Sequence, residues 1–357
     1  MSSKSHKKKN GAYKAKIALV AVLGTVLAFT VVLLCLILFT DIIFDTDTTR
    51  NETESRTDVI LVDNDVVEPV KDGKLMALYN GEPLYAGGQA IAENFTVQLM
   101  DENGNIQIVT DYTCDQLSDD FRLAEGENTF EFEYMGRKAS VDVNAVNIRT
   151  LPYPPNYILQ YVDKEAAAAK AEKLRNGELS FEEAFERVAF TGDSQIVGIV
   201  SYGILSDARI VAKIGESYDW FDKNFDRVIM AASNCDSIIV HYGINTLSVS
   251  ASERAYRISQ YKDLLARLKA SLPHLRIIVS GVFPVSYSIF GSQARFMYIN
   301  EYDYDLVEMC MELGIEYISD NEYMLKNNNV FGDDGLHLTG DFYRYYWMEN
   351  LIEVMGI

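Results

Sequence analysis

From Val188 to the end of the chain, short apolar runs that read as buried strands alternate with longer segments of helical period. No other feature narrows the available folds as much. The expected strands are Val188–Thr191, Ile210–Ile214, Ser237–Tyr242, Arg276–Val282 and Ile315–Ser319, and the expected helices fall around 196–205, 218–232, 251–271, 293–312 and 339–354. Strands apolar on both sides and joined by helix-length connections predict an α/β architecture, a three-layer α/β/α doubly wound parallel sheet. In such sheets ligands bind beyond the carboxyl ends of the strands, so the residues that follow each run are where chemistry is expected.

The first run ends in Gly192-Asp193-Ser194, followed by Gln195 and a second apolar run, Ile196–Val200. This reads as a buried strand, a sharp turn and a helix start, whose free N–H groups face a developing oxyanion. The second run leads into Lys213-Ile214-Gly215-Glu216-Ser217, and the third into His241-Tyr242-Gly243-Ile244-Asn245-Thr246. The chain closes through Gly332-Asp333-Asp334-Gly335-Leu336-His337-Leu338-Thr339. Singly, each stretch has an ordinary structural use: Gly and Asp make turns, Ser and Asn cap helices, and His337-Leu338-Thr339 suits a helix entry. A serine hydroxyl is a poor nucleophile until a base takes its proton. Of the four histidines, only His337 stands next to a carboxylate at a loop-to-helix junction.

Gly-Asp-Ser near the start, Gly after the second strand, Gly-x-Asn after the third and Asp-x-x-His near the end resemble, in that order and spacing, the SGNH (GDSL-like) hydrolases. The resemblance covers residues 186–357. It implies Ser194 as nucleophile, His337 as its base and Asp334 as the group that holds the imidazole. It also implies an oxyanion hole formed by the backbone N–H groups of Ser194 and Gly215 and the side-chain amide of Asn245. It calls for no cofactor and no metal. Asp333, four residues from His337, breaks the family's spacing, and Asp193 is read as holding the turn. His241, at a strand end, is expected to line the pocket; His6 and His274 lie in the basic tail and in a turn. The sequence departs from the family at Thr246, where Asp is usual, and at Ile214-Gly215-Glu216-Ser217, which lacks a later Gly.

Upstream, the charge is unevenly divided. The first forty residues contain six lysines and no acid, which leaves 26 Lys+Arg against 52 Asp+Glu in the rest. So acidic a body repels nucleic acid. Ile17–Thr40 carries no charge, and its 24 residues at about 1.5 Å each exceed a hydrocarbon core about 30 Å thick. Residues 17–40 are therefore expected to form a transmembrane signal anchor, after a basic cytoplasmic tail (1–16), with the remainder outside the cell. Residues 41–58 read as a solvated linker. Residues 59–147 show short alternating strands between turns such as Asn80-Gly81 and Met135-Gly136, which predicts a small all-β sandwich. The stretch Leu123–Phe130, followed by strand, Gly136 and strand, resembles bacterial immunoglobulin-like modules of cell-surface proteins. Residues 148–185 are expected to be a helical connector, stiffened at Pro152, Pro154 and Pro155, with a capping box at Ser180 and Glu183. The four cysteines, Cys35, Cys114, Cys235 and Cys310, are too scattered for a disulfide framework or metal cluster, and so few suit a bacterial surface protein.

Together these readings predict a membrane-anchored extracellular serine esterase that hydrolyses short-chain acyl esters, acetyl above all, on cell-envelope or other carbohydrates. Its partners would be an acylated glycan or other small ester and, through one helix, the membrane. Transfer of the acyl group to a sugar hydroxyl would use the same site. The alternative from another class is a non-catalytic binding or adhesion protein. The joint presence of Ser194, Asn245, Asp334 and His337 speaks against it.

Overall fold

The computed structural model describes residues 73–357. The basic tail, the apolar run 17–40, the linker 41–58 and the opening of the β-rich region lie outside the described residues. Among those described, no helix is long and apolar enough to cross a membrane.

Strands β1 (Gly73–Tyr79), β3 (Phe95–Asp101) and β4 (Ile106–Ile108) form one antiparallel sheet, and β2 (Leu84–Tyr85), β6 (Arg137–Val146) and β5 (Gly126–Tyr134) form a mixed one, in which β6 pairs antiparallel with β5 and parallel with β2. Alternation makes the unit: Phe130 and Phe132 are buried while Glu131 and Glu133, each next in the chain, are exposed. Leu75, Phe95, Val97 and Leu99 complete a core shared by both sheets. The β5–β6 hairpin turns at Met135 and Gly136, both at positive φ (48° and 75°), the primed geometry that matches strand twist. Six strands are described, against seven in a constant-type immunoglobulin domain. The observed object is a two-sheet β unit, and the immunoglobulin-like reading goes no further.

The five expected parallel strands are present as β7 (Val188–Gly192), β8 (Ile210–Ala212), β9 (Ser237–His241), β10 (Arg276–Ser280) and β11 (Glu316–Ile318), in the order β11-β10-β9-β7-β8. All residues of β7 and β9 are buried, and successive side chains enter opposite cores. Ala189, Ile238, Val240, Ile277 and Val279 pack under the helices Ala251–Ser271 and Ile299–Leu313. Phe190, Ile239, Ile278 and Ile318 pack against helix Ser194–Ser201 and the C-terminal helix, where Trp347, Met348 and Leu351 are fully buried. Each such Val, Leu, Ile, Phe or Met side chain contributes about 1.5–3 kcal/mol of burial. The three layers expected from the alternation are thus present.

The connector has two parts. Helix Lys164–Arg175, capped by Asp163, and the Ser180–Glu183 capping box form as expected. Residues 156–160 instead extend along the sheet edge. Tyr157 pairs antiparallel with Tyr317, and buried Glu316 accepts the N–H groups of Leu159 (2.6 Å) and Gln160 (3.1 Å) while pairing with Arg276.

Numbered within the domain, the strand order is 2-1-3-4-5. The chain leaves its first strand on one side and returns on the other, so the loops after β7 and β9 part at the switch point, where open α/β sheets bind ligands.

Candidate active site

At the end of β7 the chain must turn within van der Waals contact of its neighbours. A Cβ on Gly192 would lie 2.2 Å from Ile196 Cγ1 and 2.7 Å from the His241 carbonyl oxygen, so only glycine fits. The helix cap is Asp193, whose Oδ1 accepts the Gln195 N–H at 3.0 Å, and Ser194 is the first helical residue. This agrees with the turn-holding role read for Asp193. Burial raises the Asp193 carboxyl from 3.8 to about 7, although the Gln195 N–H and the charge of His337 both pull it down.

The closing loop, tied at its base by a Phe331–Leu338 bridge and a Gly332 N–H to His337 carbonyl bond of 2.7 Å, brings the distant residues to Ser194. His337 Nε2 lies 3.0 Å from Ser194 Oγ, and His337 Nδ1 lies 2.6 Å from Asp334 Oδ2. Asp334 Oδ1 also accepts the N–H groups of Leu336 (2.9 Å) and His337 (2.8 Å). Burial would raise the Asp334 carboxyl, but these bonds outweigh it and hold the group at about 2. Asp333 is exposed and takes no part in this arrangement. Such a relay lets Nε2 accept the Ser194 proton while the carboxylate fixes Nδ1–H and stabilises the imidazolium.

The expected oxyanion donors are the N–H groups of Ser194 and Gly215 and the amide of Asn245. Among the described residues, neither the Ser194 N–H, in the first helical turn, nor the Gly215 N–H has an acceptor. Gly215 is exposed at φ +75°, a conformation that aims its backbone without a side chain in the way. Asn245 lies in the turn after β9, which Thr246 closes onto the Gly243 carbonyl; the helix beyond begins later, capped by Ser250. The Asn245 amide is already engaged, donating to the Glu216 carbonyl at 2.8 Å and lying 3.4 Å from Asp193 Oδ2.

His241 corrects an expectation. It does not line the pocket: it is fully buried, with Nδ1 3.1 Å from Ser280 Oγ and its ring 4.3 Å from that of Phe283. Burial lowers its pKa to about 3, so it stays neutral.

Two residues that matter carried no sequence signal. Gln195 Nε2 donates to the Leu336 carbonyl at 2.9 Å, joining the helix that begins at Ser194 to the His337 loop. Tyr343 Oη donates to the Gln195 carbonyl at 2.7 Å. Tyr343 sits in a π-helical turn, Tyr343–Trp347, that interrupts the C-terminal helix, and such turns recur at functional sites.

No family model matches the chain, and no curated protein matches it. Among solved structures, it is similar to a GDSL-like lipase from Bacteroides thetaiotaomicron (17% identity, 54% of this chain and 96% of that one, TM-score 0.39). It is also similar to an acetyl xylan esterase from Geobacillus stearothermophilus (13% identity, 46% and 90%, TM-score 0.35) and to a second acetyl xylan esterase (16% identity, 44% and 94%, TM-score 0.35).

Proposed function

We propose that residues 186–357 form a serine esterase. Ser194 Oγ attacks the ester carbonyl and passes its proton to His337 Nε2, which returns it to the leaving alkoxide. The acyl-enzyme is then cleared by water activated at the same nitrogen. Asp334 holds the imidazole throughout, and the N–H groups of Ser194 and Gly215, with the Asn245 amide, receive the oxyanion. The observation that carries this reading is the continuous relay Ser194 Oγ, His337, Asp334 at 3.0 and 2.6 Å, placed at the switch point of the sheet.

The substrate we propose is a short-chain acyl ester, acetyl above all, borne on a carbohydrate. The site supports a bulky carrier: the side chains of His337 and Asp334 are 43% and 53% exposed, so the carbonyl can be presented from outside. The charge-free run 17–40 supports a membrane anchor with the enzyme outside the cell. The test is turnover of p-nitrophenyl acetate by the full-length chain beside its Ser194→Ala form. Loss of turnover and of fluorophosphonate labelling in the variant is expected; labelling at another serine would refute the assignment.

A further inference from the structure

The loop after β10 differs in chemistry from the rest of the chain. From Ile277 to Ala294 there is no Asp, Glu, Lys or Arg, in a sequence of which 24% is charged. Its first half, Gly281 to Ser286, is buried and tied at both ends. Asp303 Oδ1 accepts the Val282 N–H at 2.8 Å, and the Ser286 N–H donates to the carbonyl of Gly335 at 2.9 Å. Gly335 lies between Asp334 and His337, so this bond sets the second half of the loop beside the relay.

There the chain turns through the short helix Tyr287–Phe290 and exposes Tyr287 (73%) and Phe290 (43%), with Ser288, Ser292 and Gln293 around them. Residues three apart share one side of a helix, so the two rings form one surface. Aromatic faces bordered by hydroxyls and an amide, with no formal charge, complement a neutral sugar. The C–H groups of a pyranose ring lie on the electron-rich face, and its hydroxyls find neutral donors and acceptors at the border. A long acyl chain would call for an aliphatic groove. A polyanionic glycan would meet the field of an acidic body.

We infer that Tyr287 and Phe290 are specificity-determining residues that stack on a sugar ring of a neutral acylated glycan, adjoining the ring whose ester reaches Ser194. The inference rests on the esterase reading and names its substrate class.

The test compares the full chain with Tyr287→Ala, Phe290→Ala and the double variant on three esters: partially acetylated cello-oligosaccharide, p-nitrophenyl acetate and p-nitrophenyl palmitate. The ratio of kcat/KM on the oligosaccharide to that on p-nitrophenyl acetate should fall about tenfold for each ring, through KM, with recovery in Tyr287→Phe. A ratio unchanged within about twofold, in variants with the wild-type circular dichroism spectrum, overturns the inference; so does a loss confined to the palmitate. Calorimetric titration of the Ser194→Ala chain with the same oligosaccharide, with and without the double substitution, reads the surface independently of turnover. Equal affinities overturn the inference here too. Absence of p-nitrophenyl acetate hydrolysis by the wild type would instead strike the esterase reading, leaving the titration to decide the glycan surface alone.

Discussion

The side-chain nitrogen of Asn245, in the turn after β9, links the loops after β8 and β7, 2.8 Å from the Glu216 carbonyl oxygen and 3.4 Å from Oδ2 of Asp193. Both amide hydrogens therefore have a direction before any substrate arrives. The longer contact is the one an oxyanion can replace, and the first keeps the donor in place while it does so. An oxyanion donor fixed in advance needs no reorganisation in the transition state.

Asn245→Ala should accordingly lower kcat by about 10²–10³-fold, the usual loss for one such donor, while Ser194 remains open to fluorophosphonate. Steady-state kinetics on p-nitrophenyl acetate decides it; a kcat within about threefold of wild type would remove Asn245 from the oxyanion hole.

The partners of His337 separate by role. His337→Ala should reduce kcat nearly to the level of Ser194→Ala, about 10⁶-fold, whereas Asp334→Asn should cost about 10⁴-fold, since some imidazole stays correctly placed. The Asp334 carboxyl is held at about 2, below its ordinary 3.8. The stability it contributes is thus complete above pH 3.8 and is lost as the pH falls from there toward 2. Acid denaturation profiles should show Asp334→Asn lacking this step, and a loss centred near pH 6 would contradict it.

Asp193 has the opposite sign. With its carboxyl raised from 3.8 to about 7, the folded protein holds a proton that the unfolded chain has released, so its contribution falls as pH rises across that window. Asn is an equally good helix cap. Urea midpoints of Asp193→Asn relative to wild type should therefore improve steadily from pH 4 to pH 7 and level off above. A difference independent of pH would mean that the buried carboxyl is ionised throughout.

The edge formed by residues 156–160 should behave as part of the α/β domain. A chain begun at Asp163 loses buried Tyr157 and leaves Glu316 with Arg276 alone, so it should be less stable than one begun at Asn147 by roughly 3 kcal/mol or more. Urea unfolding of the two shortened chains measures this. Equal midpoints would make the strip dispensable.

The sheet was legible because parallel strands are apolar on both faces and short enough to be bounded by turns. The expected Val188–Thr191 and Ser237–Tyr242 differ from β7 and β9 by one residue. The relay was legible through the family resemblance of the ordered motifs, and an Asp three residues before a histidine can reach both its ring and its backbone, as Asp334 does. Other features leave no local trace. Residues 156–160 look like connector, just past Pro152, Pro154 and Pro155, until β11 supplies an edge. His241 looks like a site residue until Ser280 and Phe283 enclose it. Gln195 acts only through Leu336 and Tyr343, each more than a hundred residues away, and no periodicity announces such a partner.

The π-helical turn at Tyr343–Trp347 gives the C-terminal helix an unusual relation to insertion and deletion. A π turn is an α-helix carrying one extra residue. Deleting the extra residue would close the turn as regular α-helix with both flanks in register, whereas one residue lost from the regular turns that follow, Met348–Met355, would rotate everything before it by about 100° against the core. Tyr343 would then swing away from the Gln195 carbonyl, and the helix that presents Ser194 would lose its fastening although no residue of the relay had changed. Point substitutions spare this register, but a codon lost from the regular turns does not. The C-terminal helix is thus a length gauge for the placing of Ser194, read in whole residues.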